Sequence, residues 1–108
     1  MATQQYRLRV PTSLATLIRG MHPQLKRKLR ASLSTVLSDP TVGNALRDEL
    51  EGLRSYRMGR LRIIYRLSTR GRVIELVAVG PRSRIYEDTL RYVKQDQTRV
   101  RDRKNQGS

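Results

Sequence analysis

The chain has 108 residues, and its 23 Lys and Arg against 9 Asp and Glu give a formal net charge of +14. This length suits one small domain, and no apolar run approaches the roughly 18 residues that would cross a membrane. The chain has no cysteine and one histidine, which excludes disulfides, thiolate metal sites and a Cys nucleophile and argues against a histidine triad. A domain this basic most often binds nucleic acid or an acidic protein.

The first predicted elements are a strand and a helix. Residues 6–10 alternate apolar and charged side chains, which is typical of a half-buried strand, and Pro11 ends it. Apolar side chains then recur at helical spacing as far as Met21, so we expect a helix with Thr12 or Ser13 as its cap.

A second helix is predicted to begin at Pro23, a residue that is favourable in the first helical turn. Leucines recur every four residues along it, and the sequence Asp39-Pro40 ends it. We expect both helices to pack on a sheet through their leucines. The histidine, His22, directly precedes Pro23, so a capping or surface role is favoured over catalysis.

The second half of the chain changes from a helical period to strands. Residues 41–52 predict an irregular connection with one helical turn at 44–50. Strands are expected at 54–58, 61–67 and 72–79, and a last helix from about Ser83 to Lys94. In the last strand, alternation places Ile74, Leu76 and Ala78 on one face and Val73, Val77 and Val79 on the other. The order β-α-α-β-β-β-α indicates an α+β domain over residues 1–93, and the basic residues 94–108 predict a disordered tail.

A hairpin between two of these strands brings like charges together. Gly59 and Arg60 are typical of a two-residue turn with Gly first, which would place Arg57 directly opposite Arg62 on one face. Like charges in this position destabilise a sheet by a few tenths of a kcal/mol. Either an anion bound between the two arginines removes the repulsion, or both side chains extend into water.

Further candidates follow the last strand. Arg82, Arg84 and Tyr86 come after Gly80-Pro81, where they are placed to converge with the hairpin arginines, although periodicity alone makes Tyr86 a core-edge aromatic residue. The carboxylates at 48, 49 and 51 are expected to be solvated or paired with arginines. No Gly-rich phosphate loop, metal-ligand cluster or paired-carboxylate spacing occurs in the sequence, so we expect no cofactor and no metal.

Two segments resemble the RelE/ParE superfamily of type II toxins from bacteria and archaea. They are residues 50–66, LEGLRSYRMGRLRIIYR, and residues 79–86, VGPRSRIY, and the resemblance extends over about residues 4–92. It implies a compact, mostly antiparallel sheet with two N-terminal helices packed on one face. It also implies a toxin that a cognate antitoxin neutralises in a hetero-oligomer. The basic surface predicts an acidic or amphipathic antitoxin segment, and the absence of cysteine fits a reducing cytoplasm.

The resemblance implies a specific activity and a set of residues for it. The RelE branch cleaves mRNA in the ribosomal A site without a metal and so inhibits translation, whereas the ParE branch inhibits DNA gyrase and cuts no RNA. Matching positions imply catalytic roles for Arg57, Arg62, Arg82 and Tyr86, with Tyr86 as the base. The cations expected to bind mRNA or the ribosome are Arg60, Arg84, Lys26, Arg27, Lys28 and Arg30. A gyrase inhibitor and a member that binds RNA without cutting it remain the alternatives.

Two departures from the RelE pattern concern this site. RelE has a second lysine at the position of Gly59, where Arg60 is placed to reach the same space. The stretch from Arg82 to Tyr86 is also two residues shorter than in RelE.

Overall fold

The computed structural model describes residues 6–68, 70 and 72–106, with side chains as far as residue 94. Its elements are β1 (Arg7–Arg9), α1 (Thr12–Arg19), α2 (Pro23–Ser38), β2 (Asn44–Ala45), a 3-10 turn (Asp48–Leu50), β3 (Leu53–Met58), β4 (Leu61–Ser68), β5 (Val73–Pro81) and α3 (Arg82–Gln106). The predicted order is confirmed, with the short β2 and the 3-10 turn inside the connection that was predicted to be irregular. α3 continues beyond Lys94 to Gln106, and within the predicted tail at 94–108 the side chains after residue 94 lie outside those described.

The strands form one sheet in the order β1-β5-β4-β3-β2. β1 runs parallel to β5, and the other pairs are antiparallel. Short turns join β3 to β4 and β4 to β5, which makes those neighbours antiparallel, whereas β1 reaches β5 only after the two helices and the hairpin. The predicted α+β class with a mostly antiparallel sheet is therefore confirmed.

The N-terminal helices α1 and α2 cover one face of the sheet. The buried side chains of this layer are Leu14, Leu29, Leu33 and Val36 from the helices and Met58, Ile63, Tyr65, Ile74 and Leu76 from the strands. The leucine pattern thus buries its predicted face, and each such side chain contributes about 1.5–3 kcal/mol to stability. Leu17 is an exception, since it belongs to the apolar period of α1 but is 51% exposed.

The third helix, α3, covers the opposite face. Ile85 packs there against Leu53, Ile64 and Val77 in a second buried cluster. Thr89 is fully buried and Val93 is partly buried on the same side of the helix, whereas Tyr92 is 44% exposed.

A β-bulge in β5 changes the predicted alternation of its side chains. Ile64 pairs with Ala78 while the next residue, Tyr65, pairs with Leu76, so Val77 is an extra residue. Val77 and Ala78 consequently both face α3, and Val79 returns to the α1–α2 side. The predictions that Ala78 shares a face with Leu76 and that Val79 shares a face with Val77 were both wrong, because strict alternation does not continue across a bulge.

The two N-terminal helices begin differently. Pro11, rather than Thr12 or Ser13, occupies the N-cap of α1, and no side chain caps that end. The helix starts one or two residues earlier than these caps predict, since the Pro11 carbonyl already accepts a hydrogen bond from the amide of Ala15. At α2 the prediction is confirmed, because Nδ1 of His22 accepts a hydrogen bond from the Gln24 amide at 3.2 Å.

A buried tyrosine holds the loop that follows α2. The hydroxyl of Tyr65, on β4, donates to the Pro40 carbonyl at 2.7 Å and accepts from the Gly43 amide at 3.0 Å. A Cβ atom at Gly43 would lie 2.6 Å from that hydroxyl, so glycine is required for this approach. Burial raises the pKa of Tyr65 above its ordinary 10.0, and the Gly43 amide only partly offsets this effect.

Candidate functional site

The β3–β4 hairpin has the predicted register. Of its two turn residues, only Gly59 has a positive φ, at 61°, which fits the predicted turn with Gly at its first central position. Met58 pairs with Leu61, and Arg57 pairs with Arg62. Because the pair next to the turn is hydrogen-bonded, the arginine pair is the non-hydrogen-bonded one, in which side chains are closest.

Both arginines lie on the α3 face of the sheet. Arg57 is two residues from Ser55, which contacts α3, and Arg62 is two residues from Ile64, which packs under it. Tyr86 reaches the same face from α3, and its phenol oxygen lies 3.3 Å from Oγ of Ser55. The structure therefore brings the predicted base to the strand that carries Arg57.

Arg82 joins this group through the end of β5. Gly80 pairs with Arg62, and Pro81 pairs with Leu61, so the next residue, Arg82, begins α3 beside the hairpin. Arg82 and Arg84 are both exposed in the first turn of the helix. The unpaired amides and the dipole of a helix N-terminus add to the attraction that such arginines exert on an anion.

The arginines of this group have no acidic partner within the described residues. The ion pairs there lie elsewhere: Arg9 to Glu75 at 3.7 Å, Arg66 to Glu75 at 3.1 Å, and Lys94 to Glu49 at 3.6 Å. The side chain of Arg57 makes one long contact, from Nε to the Gly59 carbonyl at 3.5 Å. Most guanidinium N–H groups of the site therefore remain available to a ligand, and their positive charge is not neutralised.

The basic residues of α2 lie on the other face of the sheet. Lys26 and Arg30 border a groove of about 550 Å³ between β1, α1 and α2, and Arg19 lies on the same border. Its floor is apolar and includes Leu8, Val10, Ile18, Leu29, Leu33 and Leu37. The structure therefore separates Lys26, Arg27, Lys28 and Arg30 from the arginines of the hairpin, while Arg60 lies in the hairpin turn.

Sequence reasoning missed Ser55, whose side chain is 2% exposed. The available signal was its position two residues before Arg57, which puts both on one face of the strand. Glu49, in contrast, is exposed and pairs with a lysine, Lys94, rather than with an arginine.

Two kinds of feature do not occur among the described residues. No group of three or more His, Asp and Glu side chains in that part of the chain is arranged to hold a metal ion. Within the same residues, no helix is long and apolar enough to cross a membrane.

Solved toxin structures share this architecture. The RelBE2 toxin–antitoxin complex of Mycobacterium tuberculosis includes a chain 25% identical to this one, with a TM-score of 0.65 over 72% of this chain and 99% of that chain. The isolated RelE toxin of E. coli gives a TM-score of 0.63 at 20% identity, over 82% of this chain and 98% of its own. The archaeal RelE–RelB complex of Pyrococcus horikoshii OT3 gives 0.60 at 18% identity, over 74% and 98%.

Residues 7–86 match the family of ParE toxins of type II toxin–antitoxin systems, parDE. No curated protein is similar enough in sequence to count as a match. Because the family match covers most of the chain, the protein belongs to this family. It is a type II toxin of the RelE/ParE superfamily, as the sequence indicated.

Proposed function

We propose that this toxin is a ribosome-dependent endoribonuclease that cleaves mRNA in the A site without a metal. The observation that carries the proposal is the direct cross-strand pairing of Arg57 and Arg62 on the face that Tyr86 also reaches. Two like charges in the closest type of strand pair are unfavourable unless an anion lies between them. The phosphate of an RNA backbone is such an anion.

The reaction uses the 2′-hydroxyl of the RNA as its nucleophile. Tyr86, as its phenolate, accepts the 2′ proton as the 2′ oxygen attacks the adjacent phosphorus, and the bond from phosphorus to the 5′ oxygen breaks to leave a 2′,3′-cyclic phosphate. Arg57 and Arg62 stabilise the extra negative charge on the phosphorane. Arg82 stabilises the leaving oxygen by charge, since a guanidinium is a poor proton donor, and water supplies the proton.

The ribosome supplies the orientation that this set of groups lacks. A phenol and arginines form a weak acid–base system, so the reaction needs the RNA to be held in a reactive conformation. Arg60 and Arg84, which flank the hairpin site, are placed to contact phosphates near the cleaved bond. The cations of α2 at residues 26–30 would contact ribosomal RNA, and such contacts weaken steeply as salt rises.

The groove on the other face fits the second partner, a cognate antitoxin. The apolar floor between β1, α1 and α2 accepts the apolar side of an amphipathic helix, and the cations Arg19, Lys26 and Arg30 on its border attract acidic side chains. The solved RelBE2 and RelE–RelB structures are complexes of toxin with antitoxin, which supports a complex of this kind here.

The proposal is tested by cell-free translation of a defined mRNA, with primer extension to map the breaks. Wild-type toxin should cut in phase with codons only when ribosomes are present, and Arg62→Ala and Tyr86→Phe should each reduce cutting by at least 100-fold, within the range of ~10²–10³ for groups that stabilise a transition state. Arg91→Ala, which removes an exposed arginine farther along α3, is the charge-matched control and should cut normally. Intact mRNA with the wild-type toxin would overturn the proposal.

A gyrase inhibitor without nuclease activity is the second candidate, because the matching family is that of the ParE toxins. The same preparations are assayed for gyrase supercoiling. Blocked supercoiling together with intact mRNA assigns the chain to this second activity, whereas cleaved mRNA with normal supercoiling assigns it to the first.

A further inference from the structure

Ser55 is the polar side chain that lies deepest beside the hairpin arginines. It is 2% exposed and sits on the face of β3 where Leu53 and Ile64 pack against Ile85. We propose that Ser55 is a positioning residue for Tyr86, holding its phenol oxygen at the cleavage site. This inference rests on the proposed ribonuclease function, in which Tyr86 is the base.

The Ser55 hydroxyl has one hydrogen-bond partner among the described side chains. Its Oγ lies 3.3 Å from the phenol oxygen of Tyr86, and no other hydrogen bond of this hydroxyl occurs within the described residues. A hydroxyl in an apolar layer is unfavourable without a partner. Alanine would fill almost the same space without that requirement, so the feature that serine adds here is its contact with Tyr86.

A serine hydroxyl suits this role in both protonation states of a base. By rotating about its Cβ–Oγ bond, Ser55 can accept a hydrogen bond from the neutral phenol and donate one to the phenolate. Either oxygen can donate in the observed pair. The same contact therefore fixes the Tyr86 oxygen before and after it takes the 2′ proton. It does so two residues along β3 from Arg57, which binds the phosphate.

The length of this contact limits its expected effect. At 3.3 Å it is longer than the usual 2.7–2.8 Å between two hydroxyl oxygens, so its contribution is that of an ordinary neutral hydrogen bond. We expect Ser55→Ala to lower the single-turnover rate of mRNA cleavage on ribosomes about fivefold, which corresponds to roughly 1 kcal/mol. The toxin concentration at half-maximal rate should stay unchanged, because Ser55 does not reach the RNA.

A double-mutant cycle separates positioning from a structural role. If Ser55 acts through Tyr86, Ser55→Ala should have no further effect on the rate in a Tyr86→Phe background. Thr89→Val is the matched control, since Thr89 is also fully buried against the sheet but bonds to the Ile85 carbonyl at 2.6 Å. Equal losses from Ser55→Ala in both backgrounds, or a loss from Thr89→Val that matches that of Ser55→Ala, would overturn the inference.

A spectroscopic arm tests the contact without relying on cleavage. In protein labelled with ¹³C at the tyrosine ζ-carbons, the Tyr86 resonance is identified by its absence in Tyr86→Phe. It should move in Ser55→Ala and stay in place in Thr89→Val, and an unmoved resonance in Ser55→Ala overturns the inference. Wild-type toxin that leaves mRNA intact overturns the proposed function instead, and this NMR comparison then decides the contact by itself.

Discussion

Replacing Tyr65 with Phe removes one oxygen atom and breaks two buried hydrogen bonds. The Pro40 carbonyl loses its donor at 2.7 Å, and the Gly43 amide loses its acceptor at 3.0 Å. Both partner residues are buried, so water does not readily replace the lost hydroxyl. The benzene ring stays in place, and the change therefore isolates the polar part of the interaction between β4 and the loop after α2.

The two backbone groups left without a partner, the Pro40 carbonyl and the Gly43 amide, determine the size of the effect. A buried donor or acceptor left unsatisfied costs about 1–3 kcal/mol. Two of them, partly relaxed by movement of the loop, give an expected loss of about 2–4 kcal/mol for Tyr65→Phe. This is a large share of the ~5–15 kcal/mol that stabilises a typical domain. In a chain of this size it lowers Tm by roughly 10–25 °C.

Urea unfolding at neutral pH measures the loss, with Tyr92→Phe as the matched control. Tyr92 is 44% exposed, so its loss of a hydroxyl should change stability by less than ~0.5 kcal/mol. A second test uses Gly43→Ala, whose new methyl group would lie 2.6 Å from the Tyr65 hydroxyl. Its cost should be smaller in Tyr65→Phe than in wild type. If Tyr65→Phe and Tyr92→Phe unfold at the same urea concentration, the reasoning is refuted.

Three further predictions concern charge. Because the pKa of Tyr65 is raised in the folded state, the unfolded chain loses its phenol proton at lower pH. The stability advantage of wild type over Tyr65→Phe should therefore be complete below pH 10.0 and shrink above it. A constant difference across a pH series of urea titrations would contradict this prediction. Hydrogen bonds from Thr41 lower the pKa of Asp39, so the advantage of wild type over Asp39→Ala should hold above pH 3.8 and disappear as pH falls below it, in the same titrations. Arg62→Glu should stabilise the free toxin by roughly 0.5 kcal/mol at low salt, because it replaces repulsion from Arg57 by attraction. The same variant should remove cleavage activity, and a loss of stability would show that the two arginines do not repel.

The hairpin and the N-terminal helices were predictable because short-range rules determine them. Gly59 and Arg60 specify a two-residue turn, and once the turn length is fixed the register of Arg57 with Arg62 follows without knowledge of the remaining sheet. In the same way, the leucine period of α2 specifies its buried face, and Pro23 specifies its start.

The features that were missed depend on contacts between distant parts of the chain. The bulge at Val77 exists only in relation to β4, and nothing in a run of alternating apolar residues marks the point where alternation stops. The contact of Ser55 with Tyr86 joins residues that are 31 apart in sequence. In the sequence, Tyr65 has the pattern of an ordinary aromatic residue in a strand, and the hydrogen bonds of its hydroxyl with Gly43 and Pro40 are evident only in the structure. Tertiary packing determines such pairs, and local periodicity does not predict them.

The separation of charge onto two faces constrains how an antitoxin can neutralise this toxin. The hairpin arginines and Tyr86 lie on the α3 face, whereas the apolar groove bordered by Lys26 and Arg30 lies on the α1–α2 face. A short helix in that groove would leave Arg57 and Arg62 uncovered, and under the proposed ribosomal activity it would act by adding bulk that keeps the toxin out of the A site. Direct masking of the site requires a longer segment that passes around the sheet edge at β1 or β2. Because each face carries its own cations, acidic residues at both ends of such a segment would contribute separately to its affinity.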